Sequence, residues 1–229
     1  MQGSSTRWIV AAGMSALLLA ACGGSVPEAD NPPVPESEEA RARAELEALY
    51  RARVDSARMR FTEADTRFMT GMIHHHAQAL VMAEMAETNS ASPAIRRLAA
   101  RIHNAQRDEI ATMQRWLQDR DQPGVEVGPG GHVHGSGQGD HHMPGMLTAA
   151  ELEELGAAEG SAFDRLFLEF MIRHHQGAVT MVHELFATDG AGQDEDVFRF
   201  ASDVQVDQKT EIDRMQRMLD AMAGASESS

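Results

Sequence analysis

The sequence predicts an all-α fold, a four-helix bundle made of two repeated helical hairpins. A long Gly/His-rich crossover joins the hairpins and a peripheral helix precedes them. Three observations carry this expectation. Apolar residues recur at helical spacing through four long segments, several of them opened by cap residues. The first and third segments match at an offset of 99 and the second and fourth at 102, the signature of a duplicated unit. Each hairpin has one apolar face, and two such faces bury each other in a bundle.

Taken in order, the chain starts with Arg7, the apolar run "WIVAAGMSALLLAA" and Cys22. The run has the length of a signal h-region and is short for a membrane span. "LAAC", Leu19 to Cys22, is similar to a bacterial lipoprotein cleavage box, which implies cleavage before Cys22 and acylation there; an ordinary secretory signal with a chance Cys is the alternative. Cys22 is the only cysteine, so no disulfide or thiolate metal site is expected. Residues 1–21 read as the signal peptide and 22–37, rich in Pro, Gly and acids, as a disordered tether. Two or more acyl chains would anchor the protein to a membrane in the cell envelope, on its periplasmic side or at the cell surface.

Residues 38–60 are helix-forming, highly charged and weak in apolar face, hence peripheral. The bundle is expected over 61–222. Repeat one, 61–120, opens on Thr62 with the capping-box pattern "TEAD", runs to about Thr88, breaks at "NSASP" and restarts with Ser92 as cap and Pro93 as first helical residue. Residues 121–147 read as a Gly-rich linker without apolar period. Repeat two, 148–222, opens with Thr148 and Glu151 on a short helix to about Leu155. A long helix follows from about Ala162 to Ala187, then a turn and a last helix to about Met222; a polar tail, 223–229, ends the chain.

The duplicated helices carry the chemistry. Met72, His75, His76 and Met82 match Met171, His174, His175 and Met181. Projected at 100° per residue, Phe68, Met72, His75, His76, Ala79 and Met82 share one stripe, while His74 falls on the other side and should see water. The second copy has Arg173 where His74 stands. Gln106 and Glu109, matched by Gln208 and Glu211, lie on the apolar faces of the following helices. Two readings stay open. Buried His–Gln–Glu clusters can fix the register of the bundle, with Met as packing. Alternatively, imidazoles and thioethers along one stripe make a metal site, with Ala79 and Ala178 leaving room; imidazole plus thioether without thiolate suits copper, and His with carboxylate admits zinc or iron. A di-iron centre is not expected, because neither His pair has a carboxylate three residues before it.

The linker adds a second set of candidate ligands: His132, His134, His141, His142, Met143 and Met146. His103 and His183 read as structural or surface residues. The net charge of −15 excludes a nucleic-acid partner and suits cations. A metal ion and, through lipid, a membrane are the partners expected, with homo-oligomerisation open. No nucleophile–base pair or cofactor motif supports an enzyme, and a metal-dependent redox activity ranks last.

"FMTGMIHHHAQALVMA", "FDRLFLEFMIRHHQGAVTMV", "AQRDEIATMQRWL" and "MPGMLTAAELEEL" resemble the signature helices of the domain of unknown function 305 family, over about residues 60–222. The resemblance implies a ferritin-like four-helix bundle, usually exported, with some members binding copper. Its motif positions here are Met72, His75, His76, Met82, Met171, His174, His175 and Met181. The family often has Pro or Arg before the His pair, where this chain has His74.

Overall fold

Thr62 opens the first long helix of the bundle. Its hydroxyl accepts from the Asp65 N–H while the Asp65 carboxylate accepts from the Thr62 N–H, so two donors at the helix start are satisfied reciprocally. The computed structural model describes residues 37–58, 60–89, 92–128, 131, 133–135 and 143–227. The helices are α1 (Glu38–Arg58), α2 (Glu63–Thr88), α3 (Pro93–Asp119), α4 (Ala149–Ala157), α5 (Gly160–Ala187) and α6 (Glu195–Glu227). Ser92 caps α3 with Pro93 in its first turn, and Thr148 with Glu151 forms a second capping box on α4. The chain divides into two units, residues 1–44 and 45–229; the described part of the first is the start of α1, exposed throughout, and the bundle lies in the second. No helix among the described residues is long and apolar enough to cross a membrane. Cys22, His132, His141 and His142 lie outside the described residues, as does the side chain of His134.

Two expectations need correction. The segment after α3 is not wholly irregular: β1 (Val125–Val127) and β2 (Val133–Gly135) pair as an antiparallel hairpin with Val127 opposite Val133. Three alternating valines suffice once Val125 can insert into the core, where it is 1% exposed. The last helix runs past Met222 to Glu227.

The hairpins α2–α3 and α5–α6 pack through α2 against α5, which run antiparallel. The duplicated Asp65 and Asp164 clasp them. Asp65 Oδ1 accepts from the Gly192 N–H at 2.7 Å, in the α5–α6 turn, and Asp164 Oδ1 accepts from the Ser92 N–H at 3.1 Å, in the α2–α3 turn. Each hairpin thus holds the other's turn.

At the other end of the same turn, buried Arg120 donates to Asp194 at 2.6 Å and to Asp196 at 3.1 Å, and the Trp116 indole donates to Asp194 at 3.1 Å. The guanidinium also stacks 4.5 Å from the Trp116 ring centroid. This network ties the end of α3 to the start of α6.

The apolar interior falls into two clusters. One contains Phe68, Met72, Ile73, Ile110, Met113, Met181, Val182 and Val204; the other contains Ala79, Met82, Ile102, Phe163, Phe167, Met171 and Met215. On every bundle helix the gap between them is filled by polar residues: His75 and His76, Gln106 and Glu109, His174 and His175, Gln208 and Glu211. A polar layer therefore crosses the middle of the bundle.

Candidate metal centre

Helical spacing puts His75 and His76 one after the other on the inward side of α2, and His174 and His175 likewise on α5. All four side chains are completely buried. Where α2 meets α5, the rings of His75 and His174 lie face to face, centroids 3.9 Å apart and tilted by 38°. The other two turn toward their own hairpin partners. His76 Nε2 is 2.7 Å from Glu109 Oε2, and His175 Nε2 is 2.8 Å from Glu211 Oε2. The second contact is a hydrogen bond; in the first, the atoms are close without the alignment of one.

Much of this layer lacks partners. Both ring nitrogens of His174, both of His76, Nδ1 of His75 and of His175, both amide atoms of Gln106, and Oε1 of Gln208 are buried without a well-aligned hydrogen bond. Each such atom costs about 1–3 kcal/mol. A layer that served register alone would be expected to satisfy its members.

Electrostatics keeps the central pair uncharged. Burial, then the proximity of His76, pushes His75 down to about 3 against a partial offset from the Pro144 carbonyl. Burial, then His75, His175 and His76, holds His174 well below the usual histidine range. His75 Nε2 donates to Pro144 O at 3.0 Å, since a carbonyl only accepts, which leaves its Nδ1 lone pair without a donor. Neutral imidazole with a free lone pair is the form that ligates metals. On the rim, burial raises Glu211 but its bonds to His175 and Arg101 bring it below the ordinary carboxylate range. Burial and the carboxylates of Glu109, Asp203 and Glu211 push Asp207 up.

A strap made by Met143–Leu147 covers the layer on the α2–α5 side. Gln78 binds it twice, donating to Leu147 O at 2.9 Å and accepting from the Leu147 N–H at 2.7 Å. Gly177 lets it approach α5: a Cβ there would sit 1.9 Å from Pro144 O. Gly145, at φ +76°, sits where a Cβ would be 2.5 Å from Arg173 O. The strap brings Met143 to α2 as well. The position a Cβ would take on Gly71, one turn before His75, is 3.4 Å from Met143 Sδ and 3.4 Å from Met181 Cε. A cavity of about 240 Å³ opens there, lined by Gly71, Met143, Pro144 and Met181.

The methionines of the stripe do not gather at one point. Met72 and Met181 belong to one apolar cluster and Met82 and Met171 to the other, one pair on each side of the histidines. Antiparallel packing explains this, because residues before His75 meet residues after His174. Ala79 and Ala178 are fully buried within these clusters. His74 is half-buried rather than water-facing: its Nε2 is shut off from solvent, and burial lowers its pKa. Met146 closes the strap's turn on Met143 through its backbone N–H. His103 lies 3.5 Å from Glu84, and exposed His183 touches Gln205 at 2.6 Å. Reading by repeat missed the strap's partners, since Gln78 and Gly177 occupy matched positions with unlike residues. That very mismatch, one long amide and one absent side chain, was the available signal.

Two helical hairpins closed over a buried histidine layer define a class of small all-α proteins with a polar layer across their interior. The chain belongs to the DUF305 family (Domain of unknown function), whose model matches residues 65–219. It is similar to a DUF305 fragment from Deinococcus radiodurans, at 31% identity over 70% of this chain and 98% of that one, TM-score 0.59. A DUF305 protein of Streptomyces coelicolor, named as a candidate secreted protein, is similar at 28% identity over 70% and 94%, TM-score 0.57. CopM in its Cu(II)-bound form is similar at 30% identity over 69% and 96%, TM-score 0.53, and CopM has also been solved with Cu(I) and with silver. No curated protein matches the chain.

Proposed function

We propose that this protein is an exported, lipid-anchored copper-binding protein that buffers copper or hands it on outside the cytoplasm. The observation that carries the reading is the layer of four buried histidines whose ring nitrogens largely lack hydrogen-bond partners. Among the described residues no three His, Asp or Glu side chains converge so as to hold an ion by themselves. Methionine is the further donor type that the described neighbourhood offers. Met143 and Met181 meet beside Gly71, one turn before His75, and Met72, Met82 and Met171 flank the layer. Imidazole with thioether favours copper, and Cu(I) in particular, over zinc or iron. The copper- and silver-bound forms of CopM support the same choice. His132, His134, His141 and His142, with Met146, would supply ions from the linker. Export and acylation at Cys22 are read from the leader sequence, and the Streptomyces relative, named as a candidate secreted protein, supports export.

The hairpin-spanning His76–Glu109 and His175–Glu211 contacts favour a second reading, a layer that sets register. Replacing Met143 and Met181 together with alanine separates the two. Cu(I) affinity, measured by competition with a chromogenic chelator, should fall about tenfold or more, equivalent to ~1.4 kcal/mol. Unchanged affinity would remove the thioethers from the centre.

A further inference from the structure

The strap closes the α2–α5 side of the histidine layer, while on the opposite side α3 and α6 face each other across a groove of about 460 Å³. Asp108 and Glu109 line it from α3, and Asp203 and Asp207 from α6. Asp203, Asp207 and Glu211 follow one another at intervals of four, so they stack on one helix face. Like charges at this spacing disfavour a helix, so the stack has no stabilising role of its own. The lining carries six carboxylates against three arginines, so the acids remain in excess: Arg120 is taken up by Asp194 and Asp196, Arg199 by Glu195, and Arg115 donates to the Thr112 hydroxyl.

The acids descend toward the centre. Asp203 and Asp207 are exposed, the Glu109 side chain is 21% exposed, and His76 behind it is 0% exposed. His76 Nε2 is turned at Glu109 Oε2, 2.7 Å away, and neither atom is spent in an aligned hydrogen bond. A fully buried imidazole, without an aligned hydrogen bond at either nitrogen, thus faces the floor of an acidic groove.

We propose that this groove is the route by which metal cations reach the histidine layer, with Asp203 and Asp207 drawing the ion in and Glu109 passing it to His76. The inference rests on the copper-binding reading and adds its direction of access. A cleft lined by one sign of charge focuses the field and raises the capture rate of the opposite ion, an effect that salt screens.

The test is stopped-flow uptake of Cu(II) by the full chain from a weak chromogenic chelator, at low and at physiological salt. Asp203→Asn with Asp207→Asn removes two like charges and leaves the fold intact. Uptake should slow about 3–10-fold at low salt, with the difference shrinking as salt rises and the final stoichiometry unchanged. Glu153→Gln with Glu154→Gln on α4 makes the same change in net charge away from the groove and should leave the rate at the parent value. Uptake by the aspartate variant as fast as the parent's, or slowed equally by the α4 variant, would overturn the route. If the parent takes up no copper, or takes it up equally after loss of the four histidines, the copper-binding reading fails and the route with it. If the histidine variant loses uptake while the aspartate variant keeps the parent rate, the route alone is wrong.

Discussion

Replacing His75, His76, His174 and His175 together with alanine is expected to abolish high-affinity copper binding and, with it, the stabilisation that copper gives the parent. The parent should melt higher with copper: at a free concentration a hundred times the dissociation constant, linkage supplies about 2.7 kcal/mol. In a chain of this size that corresponds to roughly 5–11 °C. The variant should melt at the same temperature with and without copper. Its own stability should change less than four core truncations normally imply, because most of the imidazole nitrogens removed had no partner in the fold. A purely structural layer gives the reverse pattern: the four replacements lower the melting temperature sharply, and copper leaves the parent unmoved. Differential scanning calorimetry of both proteins with and without the metal reads the two cases apart.

Arg120→Ala should be the most destabilising single change in the bundle. It leaves Oδ2 of Asp194, a residue 1% exposed, without its donors and removes the guanidinium from the face of Trp116. Breaking a buried pair from one side costs about 3–5 kcal/mol, which places the melting temperature about 10 °C lower. The same network sets an acid limit. Burial pushes Asp194 up, but its bonds to Arg120, the Trp116 indole and the Val197 N–H outweigh that and hold its pKa below the ordinary carboxylate value. A lowered carboxylate pKa contributes stability that is complete above the unfolded pKa, near 3.8, and is lost as pH falls through the folded one. Urea midpoints of the parent should therefore drop below about pH 4. Those of Arg120→Ala should start low and drop less over that range.

Much of the fold was legible because it is written in local signals and repeated. Thr62, Ser92 and Thr148 announced their helices by cap chemistry, and the copied faces announced two hairpins. The repeat also displayed Asp65 and Asp164 as a matched pair, but their role needs the reciprocal packing of the turns, which no local pattern contains. Helix phase told His75 and His76 from His74 in direction, though it gave His74 more water than it has. A projection of one helix cannot see the neighbours that cover its far side. Phase also gathered Met72 and Met82 on one stripe without showing that ten residues of rise, about 15 Å, carry them to opposite sides of the histidine layer. The strap was hidden for a different reason. Its contacts pair unlike residues, Gln78 and Gly177, with backbone atoms of a Gly-rich segment, and backbone atoms leave no trace in residue type.

In the proposed centre, imidazole and thioether together hold copper inside the bundle. X-ray absorption at the copper edge, on the full chain loaded with one equivalent of Cu(I) and then desalted, addresses it most directly. Cu(I) should be retained with a nitrogen shell from histidine and a sulfur shell from methionine, the sulfur shell being lost when Met143 and Met181 are both alanine. Copper that washes out, or a centre with nitrogen and oxygen neighbours and no sulfur, would contradict it.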